Sequence, residues 1–179
     1  MIPVVCFVGP SGVGKTTVLE QVAANIKRRG FRVTAVKHTS HGFDIDKPGK
    51  DSWRLAKAGC DIVVLTSNNR MALIQERSDE PSLDEIVSIV EKYTDILLVE
   101  GYKDSSEPKI EVFRSSMCES LMAKPEEIIA VVSDIKMSIN IPQFDFTEVD
   151  SITDIIIRFA ASRRAGTSIR AIKSGVLKS

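Results

Sequence analysis

The run Gly9-Pro10-Ser11-Gly12-Val13-Gly14-Lys15-Thr16 fits the pattern GxxxxGK[ST], and no other stretch of the chain restricts its fold as tightly. An apolar stretch at residues 3–8 precedes it. A segment with helical periodicity at residues 15–29 follows, so the motif stands between a strand and a helix. Glycines let successive backbone N–H groups turn inward around a phosphate, and the helix N-terminus adds its partial positive charge at the same place. Lys15 is expected at the β and γ phosphates, and the Thr16 hydroxyl at magnesium. Thr17 reads equally as an α-phosphate contact and as a plain helix-start residue.

The rest of the chain alternates short β-rich runs with amphipathic segments, the pattern of parallel strands joined by crossover helices. Strands are expected at residues 3–8, 31–37, 61–66, 71–75, 95–99, 109–113 and 128–132, with 109–113 alternating as a half-exposed strand. Helices are expected at 15–29, 51–58, from the Ser82 to Glu85 capping box onward, and from about Ser151. The Ser67-Asn68-Asn69 turn makes 71–75 an antiparallel partner of 61–66. Together these predict an α/β domain of the P-loop NTPase type, a three-layer sandwich whose mostly parallel sheet has an antiparallel edge. One domain is expected over residues 1–165, followed by a basic tail at 166–179.

Composition narrows the function. Twenty-four basic residues balance twenty-four acidic ones, so no overall field favours nucleic acid or an anionic membrane, and a phosphate ligand must be bound locally. The apolar runs fall far short of the ~20 residues that cross a bilayer, and no leader pattern opens the chain, so a cytoplasmic protein is expected. Cys6, Cys60 and Cys118 offer no CxxC pair and read as reduced, mostly buried thiols.

Hydrolysis or transfer needs more than a phosphate loop. Glu100 closes an apolar strand run, where open α/β sheets place a metal-serving carboxylate. Residues 37–52 form a long polar loop; Asp44 and Asp46, two apart, point to one side of an extended chain and are candidates for a magnesium-bound water or a second metal position. Lys50, in Gly49-Lys50-Asp51-Ser52 ahead of a helix, is a candidate for a second anion cradle. His38 and His41 lack the further ligands a zinc site requires. Asp134, just past the late apolar strand, is placed either to accept the N1 and N2 hydrogens of guanine or to cap the next segment. One of Asp44, Asp46 or Glu100 would orient an attacking water.

The loop GPSGVGKTT, the run KHTSHGFDIDKPGKDSWR at residues 37–54 and LLVEGYK at 97–103 together resemble the molybdopterin-guanine dinucleotide biosynthesis protein B family, MobB. The resemblance spans about residues 2–160, including AVVSD at 130–134. It implies a GTP-binding P-loop protein of the class that contains metallochaperone GTPases, usually a homodimer, with weak magnesium-dependent hydrolysis. Such a protein assists the molybdenum cofactor guanylyltransferase that attaches GMP to molybdopterin. Residues 9–17 would then bind the phosphates, Thr16 and Glu100 would serve magnesium, and Asp44, Asp46, Lys50 and Asp51 would belong to the family loop. Pro10 and Ser11 stand where deviant Walker A ATPases carry a lysine, which argues against that class. A P-loop small-molecule kinase and a non-hydrolysing, nucleotide-dependent adaptor are the competing readings.

Overall fold

The computed structural model describes residues 2–164; the basic tail expected at 166–179 lies outside them. The chain runs β1 (Val4–Val8), α1 (Lys15–Arg28), β2 (Val33–Lys37), α2 (Asp51–Lys57), β3 (Ile62–Thr66) and β4 (Met71–Gln75). It continues through α3 (Leu83–Val90), β5 (Ile96–Glu100), β6 (Lys109–Phe113), β7 (Ile128–Ser133), β8 (Gln143–Phe144) and α4 (Val149–Arg164). The chain falls into two compact units, one of residues up to 38 and from 83 on, the other Thr39–Ser82.

The larger unit is built on a six-stranded sheet in the order β2-β5-β1-β6-β7-β8, with every neighbouring pair parallel. Helices α1 and α4 cover one face. Val18, Val22 and Ile26 from α1 and Ile152, Ile156 and Phe159 from α4 pack on Phe7, Leu98, Ile110 and Val132. The other face packs Cys6, Val8, Leu97 and Val99 under Val87 of α3. This is the expected three-layer α/β sandwich. Helix α1 stops where Gly30 takes φ +87° and its N–H bonds back to Lys27 O, a conformation that favours glycine at a helix end. Asn25 and Arg29, in its last turn and cap, then tie to Asp150 and Asp154 of α4. Among the described residues no helix is long and apolar enough to cross a membrane.

In the smaller unit β3 and β4 pair antiparallel, Thr66 opposite Met71, as the turn residues predict. They form a separate two-stranded sheet instead of the antiparallel edge expected for the large one. Cys60 here is exposed, whereas Cys6 is buried and Cys118 half-buried, so mostly buried thiols hold for two of the three.

Strand β6 corrects the expectation of a half-exposed strand: all five residues are buried, Lys109 and Glu111 included. Each polar side chain finds partners in the loops that flank the strand. Lys109 Nζ donates to the Ser105 and Glu107 carbonyls and pairs with Glu127 at 2.8 Å. The Glu111 carboxylate accepts the Met122 and Ala123 amides at 2.5 and 3.0 Å. Burial pushes the Glu111 carboxyl above its usual value, against those two amides. The folded state therefore holds a proton that the unfolded chain releases. Stability on this residue's account rises as pH falls from neutral through the raised value and levels off below the ordinary carboxylate range. Glu111→Ala removes the acceptor that both amides share and empties a buried position, and is expected to cost about 2 kcal/mol, read by urea denaturation. Glu111→Gln, which keeps one acceptor, should cost less and flatten that part of the pH profile.

Candidate functional site

The loop between β1 and α1 owes its path to glycine. Gly9, Gly12 and Gly14 have φ of +140°, +79° and +106°, which L side chains rarely adopt. At Gly9 space forbids a side chain as well, since a Cβ there would lie 2.4 Å from the Val112 carbonyl oxygen of β6. Lys15, the first residue of α1, curls back over the loop and donates from Nζ to the Gly9 and Pro10 carbonyls at 3.0 and 2.7 Å. Partial burial holds its ammonium below its ordinary pKa, opposed by the Glu100 carboxylate and reinforced by Lys37. A phosphate group beside it would reverse that shift.

Parallel pairing brings Glu100 to the same end of the sheet. Phe7 of β1 and Lys37 of β2 stand opposite Glu100 in the register of their strands. Thr16, one residue into α1, donates its hydroxyl to Glu100 Oε2 at 2.7 Å. Two oxygen donors of the kind a hard divalent cation takes therefore converge beside the loop. The segment after β5 is fixed tightly. Gly101 has φ +109°, and a Cβ on it would come 2.8 Å from that of His38. Tyr102 holds φ +48° with its ring 4.8 Å from the His38 ring.

On the far side of the loop the chain brings up groups that the sequence does not announce. Arg114, the residue after β6, donates from Nε to the Val13 carbonyl at 3.1 Å, and its guanidinium lies 4.0 Å over the Phe146 ring. Neither residue has local periodicity or motif context; only the parallel order of β1 and β6 puts Arg114 there. Beside them a cavity of about 310 Å³ opens between the end of β7 and the turn into α4, lined by Asp134, Lys136, Gln143, Phe144 and Asp145 among others. That volume is at the lower end of small-molecule sites. Hydrogen bonds from the Thr147 amide and hydroxyl hold Asp145 below the usual carboxylate range. Asp134 lines this cavity and also accepts the Ser115 amide at 2.8 Å and the Ser115 hydroxyl at 3.2 Å, which ties it to the loop after β6 and not to the segment that follows it.

The structure thus gathers residues 9–16 with Glu100, and Thr17 is exposed on the first turn of α1. Asp44, Asp46 and Lys50 belong to the other compact unit. Asp46 does not extend beside Asp44 as a free ligand: its carboxylate accepts the Lys47 amide and the Ser52 hydroxyl, each at 2.9 Å, and so holds the turn into α2. Asp44 is exposed, and Lys50 is the residue that opens α2, in an extended conformation.

A parallel sheet flanked by helices on both faces, with a glycine loop leading from β1 into α1 and a carboxylate ending the neighbouring strand, is the α/β fold of P-loop NTPases. Within that class the chain belongs to the MobB family, described as Molybdopterin guanine dinucleotide synthesis protein B, whose family model matches residues 4–134. It is 36% identical over 168 residues to the molybdopterin-guanine dinucleotide biosynthesis adapter protein of Escherichia coli K12, covering 89% of this chain and 94% of that one. It is also 36% identical to the adapter protein of Haemophilus influenzae, over 87% of this chain and 88% of the relative. Among solved structures, Bacillus subtilis MobB superposes with a TM-score of 0.73 at 25% identity, covering 89% of this chain and 98% of the other.

Proposed function

We propose that this chain is a magnesium-dependent GTP-binding adapter of molybdopterin guanine dinucleotide biosynthesis, with slow GTPase activity. The carrying observation is the meeting of the Thr16 hydroxyl and Glu100 carboxylate beside the loop that Lys15 overarches. Membership in the MobB family and the names of its relatives support the pathway. The loop amides and Lys15 would hold the β and γ phosphates, and Thr16 and Glu100 would hold magnesium. Bound there, magnesium supplies charge neutralisation at the phosphates. Lys15 would stabilise charge that develops on the γ-phosphate as water attacks in line. The cavity beside Asp134 would take the base. Asp134 retains lone pairs beyond those used by Ser115 and would accept the N1 and N2 hydrogens of guanine.

Phosphate release from purified protein tests the hydrolytic part. GTP should be consumed slowly, faster than ATP and only with magnesium. ATP-driven phosphate transfer to a small molecule would favour the kinase reading, and no release with or without the guanylyltransferase would favour the non-hydrolysing adaptor.

The adapter would act as a homodimer, with the guanylyltransferase and molybdopterin as its targets. The hairpin supports a protein contact. Ile62, Val64, Met71 and Leu73 lie on one face of β3 and β4 and are about half to three-quarters exposed, a contiguous apolar strip that water solvates poorly. Leu73→Lys places a charge in the middle of that strip. Sedimentation velocity is expected to show a dimer for the parent chain and a monomer for Leu73→Lys; a dimer unaffected by the substitution would move the contact elsewhere.

A further inference from the structure

Strands β2 and β5 run parallel, and their last residues, Lys37 and Glu100, stand directly opposite each other. The Lys37 ammonium uses that position. Its Nζ lies 3.4 Å from Glu100 Oε1 and 3.5 Å from Oε2, and it donates to Thr16 Oγ1 at 3.3 Å. Thr16 in turn donates to Glu100. One cationic side chain therefore sits on the two oxygen donors that the reading above gives to magnesium.

We propose that Lys37 is the site's resident cation: it balances Glu100 while no divalent cation is bound, and it yields that place when nucleotide arrives with magnesium. The proposal rests on the assignment of Thr16 and Glu100 to magnesium under Proposed function. A carboxylate facing a triphosphate repels it, and an ammonium held against that carboxylate removes much of the repulsion. Lys15 cannot do both jobs, because its ammonium is engaged by the Gly9 and Pro10 carbonyls. Lys37 is free to leave. Its side chain is 64% exposed while that of Glu100 is 13% exposed, so of the two partners the ammonium is the one that water can take up.

Two consequences point the same way. Without Lys37, metal-free nucleotide meets an unbalanced Glu100 and binds more weakly. With magnesium present no competitor remains at Thr16 and Glu100, so binding there is unchanged or tighter. The gain in affinity that magnesium confers must therefore grow when Lys37 is removed.

The test is calorimetric titration of the full chain with GTP, in magnesium and in EDTA, for the parent, Lys37→Met and Lys37→Arg. Nucleotide-induced rises in melting temperature extend the reading to affinities too weak for titration. Lys37→Met should weaken binding in EDTA about tenfold and change binding in magnesium less than about threefold, as expected for loss of one charge-assisted contact. Lys37→Arg, which keeps the charge, should stay near the parent. Equal weakening in both conditions would make Lys37 a direct nucleotide contact and overturn the proposal, as would no change in either. If the parent binds no GTP in either condition, the nucleotide-site reading fails and takes the proposal with it; if the parent binds and the magnesium gain does not move, only the proposal fails.

Discussion

Lys15→Ala is expected to weaken GTP binding by at least about a hundredfold while leaving the fold intact. Each charge-assisted hydrogen bond to a phosphate oxygen is worth about 1.5–3 kcal/mol, and the ammonium is positioned to make more than one. Its loss should not destabilise the apo protein. The side chain bonds only loop carbonyls, and burial already holds its ammonium below the ordinary pKa, so the free site carries it at some cost. Titration with GTP and a thermal melt read the two expectations separately. Unchanged GTP affinity would remove the phosphate-loop assignment, and a collapse of the melting temperature would mean that Lys15 is a structural residue.

Gly9→Ala should have the larger effect on the protein as a whole. The new Cβ would lie 2.4 Å from the Val112 carbonyl oxygen, and φ +140° is strained for any L side chain. The Val112 carbonyl is backbone of β6 within the sheet and cannot rotate away, and the Val13 side chain stands 3.2 Å off. The loop must leave the carboxyl end of β6, carrying with it the Val13 carbonyl that Arg114 holds. GTP binding should be lost, and the melting temperature should fall by several degrees. Gly30→Ala is the comparison. It also has positive φ, but nothing lies within 4 Å of its Cβ, so it should cost about 1 kcal/mol and spare GTP binding.

The sequence is a good guide where chemistry is local. The phosphate loop is legible because its glycines sit between a strand and a helix, and the β3–β4 hairpin because Ser67-Asn68-Asn69 can only turn back. Glu100 is legible because strand ends of this fold class carry ligands. Strand β6 misleads because Lys109-Ile110-Glu111-Val112-Phe113 has the period of a half-exposed strand, while Lys109 and Glu111 are satisfied from the loop just before the strand and by Met122, Ala123 and Glu127, eleven to eighteen residues later. Period alone cannot anticipate such partners. Lys37 is hard to read from sequence for a related reason. It reads as the polar start of a loop, and only the β2-β5 register sets it against Glu100. Asp46 is the converse: spacing offers it as a ligand, and a local turn takes up its Oδ1.

The central claim is that the loop, Thr16 and Glu100 form one magnesium–guanine nucleotide site. Calorimetric titration of the purified chain with non-hydrolysable GTP and ATP analogues, with and without magnesium, tests it most directly. The account predicts GTP analogue binding that magnesium strengthens and that exceeds ATP analogue binding by an order of magnitude or more. Equal or preferred binding of the ATP analogue, or GTP analogue affinity indifferent to magnesium, would contradict it.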